Sequence, residues 1–265
     1  MTWIEALLLG IVQGLTEFLP ISSSGHLELA NFILGTEMTQ HEALSYTVVL
    51  HCATALSTML VLRKDLTDIL LPLKYRRVFT EKHILVKIFL STVPAGVVGL
   101  FFEKELSYFF GKNIGFTVFF LLITALLLYL TDMRSGNTKG LGMGSALLMG
   151  FAQAIALLPG ISRSGSTIAA GVLGGVRRDL AAKFSFIMVL PLIFGKIVLD
   201  CLSGEIAFYG LDLQILLTGF FAAFISGYFA CRFMLVVVQR QKLRYFSLYC
   251  ILVVVGFLIY SNLYL

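Results

Sequence analysis

A carboxylate, three consecutive serines and a histidine fall within ten residues of one another in the stretch Gln13 to Leu29, Q-G-L-T-E-F-L-P-I-S-S-S-G-H-L-E-L. Gln13 and Glu17 are four apart, so a helix would present both on one face. Ser22, Ser23, Ser24 and Gly25 form a turn that could open a second helix. His26 follows Ser23 by three residues, close enough for an imidazole to assist a hydroxyl. A second stretch, Gln153 to Ala170, repeats the outline as Q-A-I-A-L-L-P-G-I-S-R-S-G-S-T-I-A-A. It adds Arg163, a fixed cation whose planar fork can grip two oxygens of one phosphate. Ser162, Ser164, Gly165, Ser166 and Thr167 complete that turn. Two such turns, each opening a short helix, would aim two sets of backbone N–H groups and two positive dipole ends at an anion.

Each of these features also has a plainer interpretation. Ser-x-x-Gly before a helix is often only a cap, and Glu17 with Arg163 could be only a structural ion pair. The clustering favours chemistry, because a carboxylate inside a membrane costs about 2.5–3.5 kcal/mol and faces a partner or a cavity. The remaining polar residues carry less weight. His51, within the span 42–62, could line the same cavity, although a lone intramembrane histidine is more often a packed, hydrogen-bonded one. His41 and His83 fall near loops. Lys87, Lys196 and Asp200 lie near span ends, where snorkelling is the default. Cysteines 52, 201, 231 and 250 lack metal-ligand spacing and read as small packing residues.

The elements that must position these groups are membrane helices. Of 265 residues, 58% are hydrophobic and 13% charged, against about a quarter charged in soluble domains. The mean hydropathy is +0.92. Apolar runs of about twenty residues recur, long enough to cross a bilayer core of roughly 30 Å. The short alternating segments of a β-barrel are absent. The net charge of +5 then reflects basic loops rather than nucleic-acid binding, and no nucleic acid is expected. The start M-T-W-I-E lacks a basic n-region, so no cleaved signal peptide is expected.

Full spans fit residues 42–62, 83–102, 114–131, 183–200, 212–234 and 244–264. Between them lie two proline-broken pairs of short helices, 3–19 with 26–34 and 141–158 with 166–176. Each pair reads as a re-entrant hairpin whose turn is shielded by protein or lines a wet cavity. At an offset of 140 residues Gly10, Gln13, Ile21, Ser22, Ser24, Gly25 and Ala30 meet identical residues. One integral membrane domain of two repeats is therefore expected, about 1–132 and 141–265. Each repeat holds a hairpin plus three crossings, and an odd number of crossings inverts the second.

The charges test this topology. With loop 63–82 inside, the inner segments hold Arg63, Lys64, Lys74, Arg76, Arg77, Lys82, Arg134, Lys139, Arg177, Arg178, Lys183, Arg232, Arg240, Lys242 and Arg244. The outer loops hold only Lys104 and Lys112. That partition puts both termini outside. The first hairpin then enters from outside, the second from inside, and their tips can meet near the midplane.

The paired signatures Q-G-L-T-E with P-I-S-S-S-G-H, and P-G-I-S-R-S-G-S-T, resemble those of the bacterial undecaprenyl-diphosphate phosphatases of the bacitracin-resistance type. Order, separation and hydropathy fit over the whole chain. The resemblance implies hydrolysis of a C55 isoprenoid pyrophosphate to the monophosphate, recycling the carrier lipid for peptidoglycan synthesis. It implies a plasma-membrane enzyme with an outward-facing site and six spans plus two re-entrant hairpins. A divalent cation, Mg²⁺ or Ca²⁺, comes with it. The family's nucleophile falls on Ser23, with His26 and Glu17 beside it, and its pyrophosphate-holding arginine on Arg163. Its acidic motif is Glu or Gln, three residues, then Glu, so Gln13 leaves Glu17 as the only carboxylate for a metal. The partners expected are an isoprenoid pyrophosphate lipid, membrane lipids and, as an open option, a second copy in a homodimer. The rival from another class is a transporter or flippase of the lipid carrier or another anion, since broken helices in inverted repeats serve transport equally well.

Overall fold

The structure, a computed structural model, describes residues 1–36, 38–70, 83–109, 114–134, 139–204 and 212–264. Among them the chain is helical, with no strand beyond an isolated bridge between Lys139 and Val176. The helices are α1 (Trp3–Phe18), α2 (Ser23–Leu34), α3 (Gln40–Val61), α4 (Arg63–Leu70), α5 (Ile84–Phe101), α6 (Glu103–Phe109) and α7 (Ile114–Met133). After them come α8 (Met143–Ile155), α9 (Arg163–Leu173), α10 (Arg178–Met188), α11 (Leu190–Ser203), α12 (Leu213–Gln239) and α13 (Arg244–Tyr264). Among the described residues six spans are long and apolar enough to cross a membrane: α3, α5, α7, α10 with α11, α12 and α13. The chain is a multi-pass helical membrane protein.

Several boundaries differ from the sequence expectation. The short helices after the breaks begin at Ser23 and Arg163, not at His26 and Ser166. The reason is capping. Ser22 Oγ accepts from Gly25 N and Ser162 Oγ from Gly165 N, so each helix starts one residue after its cap. The fourth span bends at Val189, just before Pro191, and α12 runs five residues beyond the expected end at 234. Lys74, Arg76, Arg77, Lys82 and Lys112 lie outside the described residues.

Small residues decide how the helices meet. Apolar helices gain nothing from the hydrophobic effect in lipid, so close backbone approach and interhelical hydrogen bonds must hold them. A Cβ on Gly10 would stand 2.6 Å from the Gly219 carbonyl, and one on Gly14 would collide with Ser226. These contacts advance together along α1 and α12, so the two helices run parallel. α3 closes the same bundle, with Tyr46 Oη donating to Ala6 O at 2.7 Å and Ser57 Oγ to Phe224 O at 2.7 Å. On the other side α8 packs parallel to α5, where a Cβ on Gly150 would meet the Ser91 backbone at 2.6 Å. Lys87 joins that pair. It is buried, and its Nζ donates to Leu141 O at 2.5 Å, so it does not snorkel. α7 and α13 pair through Leu121, Ala125, Cys250 and Val254, with Ser247 Oγ donating to Ala125 O at 2.6 Å.

The basic segments gather at one end of the bundle. Arg178 donates to the carbonyls of Thr131 and Arg134 at the end of α7, each at 2.8 Å. Asp132 accepts from the Arg244 amide at the start of α13. Lys183 pairs with Asp65 of α4 at 2.9 Å.

If the α1–α12 contact needs bare backbone, Gly10→Ala should cost about 1–3 kcal/mol of stability. Gly96→Ala on α5, where an added Cβ meets nothing within 4 Å, should be neutral or gain about 0.4–1 kcal/mol. Thermal unfolding of the two variants in one detergent would separate them.

Candidate active site

The two turns left by the broken helices touch. A Cβ on Gly25 would lie 3.3 Å from the Gly160 Cα, and one on Gly165 would lie 3.2 Å from the Pro20 Cβ. Ser164 Oγ donates to Leu19 O at 3.3 Å. Gly160 has φ +91°, which only glycine adopts readily, and a side chain there would run into the Thr117 carbonyl of α7. Ser22 holds φ +70°, which is costly for a residue with a Cβ. The N-termini of α2 and α9 are thereby brought together. Their caps occupy only one amide each, and the other first-turn amides have no intrahelical acceptor.

Glu17 is where the two halves join chemically. One carboxylate oxygen, Oε1, is paired with Arg163 Nη2 from the other turn. The other, Oε2, accepts from Ser23 Oγ at 2.8 Å and from Gln13 Nε2 at 3.1 Å. Both charges are largely buried, with 7% of the Glu17 side chain exposed and 15% of Arg163. Arg163 is further placed by Ser185 O at 3.4 Å, and Ser185 Oγ lies 2.6 Å from Thr167 Oγ1. Ser22 with Ser24, and Ser162 with Ser164, stand at 3.3 Å. Ser166 Oγ is buried without a partner.

His26 is not on Ser23. Its Nδ1–H donates to Ser22 O at 2.9 Å, so Nε2 of the neutral ring accepts from Tyr249 Oη at 3.1 Å. The two rings stack, centroids 5.6 Å apart. The hydroxyl of Ser23 meets Glu17 instead.

The site holds four residues that the sequence reading does not single out, and His51, which it allows as a cavity-lining residue. His51 comes within 3.8 Å of Glu17, with its Nδ1 on Thr47 O. Thr124 Oγ1 donates to Gly160 O and accepts from Ser162 N at 2.9 Å. Thr117 Oγ1 donates to Glu28 at 2.5 Å. Tyr249 and Ser185 complete the set. A signal existed for α7: Thr117, Thr124 and Thr131 recur every seventh residue on one face of an otherwise apolar helix, and all three are buried. His51, Ser185 and Tyr249 are isolated polar residues whose partners come from distant helices.

Removing one member of a buried pair strands the other charge, at a cost of about 3–5 kcal/mol. Glu17→Gln should therefore lower stability by about that much, and Glu17→Gln with Arg163→Gln should recover most of it. Thermal unfolding of the single and double variants tests the coupling. Equal losses in both would refute it.

Comparison with known proteins bears on the whole chain. The profile of a family described as "Bacitracin resistance protein BacA" matches residues 6–256. An undecaprenyl-diphosphatase of Christiangramia forsetii is 50% identical over 257 residues, 97% of this chain and 97% of the relative. One of Bacteroides fragilis is 41% identical over 267 residues, covering 99% and 100%. One of Parabacteroides distasonis is 42% identical over 254 residues, covering 94% and 95%.

Proposed function

The chain belongs to the BacA family of bacitracin resistance proteins, and from that premise we propose a mechanism for it as an undecaprenyl-diphosphate phosphatase. Its relatives carry that activity in their names across nearly their full length. The substrate is an isoprenoid pyrophosphate held in a multi-pass bacterial membrane enzyme, and the product is the carrier lipid for wall polymers.

One observation carries the mechanism: the Ser23 hydroxyl donates to a carboxylate whose other oxygen holds an arginine from the opposite turn. In the resting site Arg163 neutralises Glu17. An incoming pyrophosphate competes for the guanidinium and leaves Glu17 free to take the Ser23 proton. Ser23 Oγ attacks the terminal phosphorus, the bridging P–O bond breaks, and the lipid monophosphate departs with that electron pair. Arg163 and the first-turn amides of α2 and α9 face the developing charge. Ser22, Ser24 and Gly25, with Ser162, Ser164, Gly165, Ser166 and Thr167, shape the two turns around it. Water then cleaves the phosphoserine. His26, whose Nε2 accepts from Tyr249 Oη, would take the water's proton in that second step.

The donors also bear on the divalent cation. Among the described residues no three His, Cys, Asp or Glu side chains converge. Gln13 Oε1, however, is buried without a partner beside Glu17. Glu17 and Gln13 are the protein groups that would hold a Mg²⁺ or Ca²⁺ beside the pyrophosphate. When bound it would neutralise phosphate charge.

The proposed architecture is two inverted repeats, each a re-entrant hairpin plus three spans, in one integral membrane domain. Its support is the exchange of partners, α1 against α12 and α8 against α5, with α7 on α13 between them. The gathered basic segments support a cytoplasmic assignment for their end, with the mouth of the α1–α2 hairpin facing outward.

Ser23→Ala should abolish phosphate release from farnesyl pyrophosphate in detergent. Arg163→Lys should retain a fraction, about 1–10% of wild type, because the bidentate fork is lost. Chelation should silence the wild type and added Mg²⁺ restore it. Near wild-type release by Ser23→Ala would end the phosphoserine route and leave His26 to activate water directly.

A further inference from the structure

A cavity lined by basic residues lies away from the turns of the candidate active site. At the end of α3, where the span passes into α4, a cavity of about 420 Å³ opens between α3–α4 and α12. That is within the usual range for a small-ligand site, about 300–1,000 Å³. Arg63, Lys64 and Arg232 line it. Its one carboxylate, Asp65, is buried and already neutralised by Lys183 at 2.9 Å. Among the described residues none of the three lining cations pairs with a carboxylate. Arg232 is nonetheless held in place. Its Nη1 donates to Tyr228 Oη at 3.1 Å and its guanidinium carbon stands 5.6 Å from the ring centroid. Tyr228 keeps its own proton available to donate. The remaining wall is apolar, from Leu60 and Val61.

We infer that this cavity binds the phosphate headgroup of an anionic membrane lipid. Three cations around one neutralised carboxylate attract a phosphate, and the preset Arg232 fork can take two of its oxygens. The position selects a lipid over a free ion. Leu60 and Val61 are the last residues of a membrane span, so the cavity sits at the depth of headgroups, with a wall for the first carbons of an acyl chain. Basic pockets between spans at that level are where acidic headgroups are held. It is also distinct from the catalytic turns. α3 meets Glu17 at His51, and Leu62 stands eleven residues on, roughly 16 Å along the helix. The inference is independent of the assignment of Ser23.

The test uses the full-length protein in phosphatidylcholine nanodiscs with a graded share of phosphatidylglycerol, reading retained phosphatidylglycerol by native mass spectrometry. Wild type should retain it. Arg232→Gln should weaken retention about fivefold, and Arg63→Gln with Lys64→Gln by about that factor for each charge. Lys242→Gln, an exposed cation outside the cavity, should change nothing, and phosphate release in neutral detergent should stay at wild-type level in every variant, which shows that they fold. Retention by the cavity variants equal to wild type would overturn the inference. So would an equal loss in Lys242→Gln, which would mean general surface charge. Full displacement of the lipid by inorganic phosphate would mean that the cavity serves a free ion.

Discussion

A carboxylate and a guanidinium placed together inside an apolar protein set the terms for everything around them. Glu17 and Arg163 come from turns 146 residues apart in sequence, and neither could stay charged at that depth alone. Removing an ion from water costs far more than one partner returns, so such a pair persists only when the remaining lone pairs and protons are also met. Here they are. Gln13 and Ser23 donate to the second carboxylate oxygen, and Ser185 accepts from the arginine. The same bonds that make the pair tolerable put a serine hydroxyl on a carboxylate next to the cation proposed to hold the substrate phosphate. In the proposed mechanism stability and chemistry draw on one set of contacts, and Glu17 becomes the base for Ser23 when a substrate phosphate takes the arginine.

That pair can form only if two backbones reach each other. Bulky side chains would hold the turns apart, and the chain places glycine where they cross: Gly25 against Gly160, and Gly165 against Pro20. Behind them α7 acts as a splint. Thr124 takes both the Gly160 carbonyl and the Ser162 amide, while Thr117 fastens α2 through Glu28. The broken helices are thus supported from a continuous one, which satisfies backbone groups that lipid could not. Farther out, glycines on α1 and α12 let those helices approach closely enough for hydrogen bonds from Tyr46 and Ser57 to hold the bundle.

Much of this was legible along the chain. Apolar runs of spanning length marked the six spans, because helix length is tied to bilayer thickness. The breaks at Pro20 and Pro159–Gly160 and the Ser-x-x-Gly caps marked both turns, because local backbone chemistry decides where a helix stops. The helix starts were misjudged by three residues, at 26 and 166 rather than Ser23 and Arg163. A serine can cap or lie in the first turn, and only the backbone chooses. Lys87 and Asp200 read as snorkelling residues near span ends. They are buried instead, Lys87 on a carbonyl of the segment before α8 and Asp200 against Lys196.

By itself, the sequence determined the class of protein, the number of spans, the two polar turns and which residue types stand at them, all properties of composition and short spacing. Only the tertiary structure decided who meets whom. It gave Ser23 to Glu17 and sent His26 to Tyr249, 223 residues away. It decided between the two readings of His51, bringing it to the carboxylate rather than leaving it a packed residue of its span. Hydrogen bonds reach about 3 Å and point in fixed directions, so a three-residue separation such as Ser23 to His26 promises proximity without a bond. The bond goes to whichever partner the helix packing aims at the acceptor.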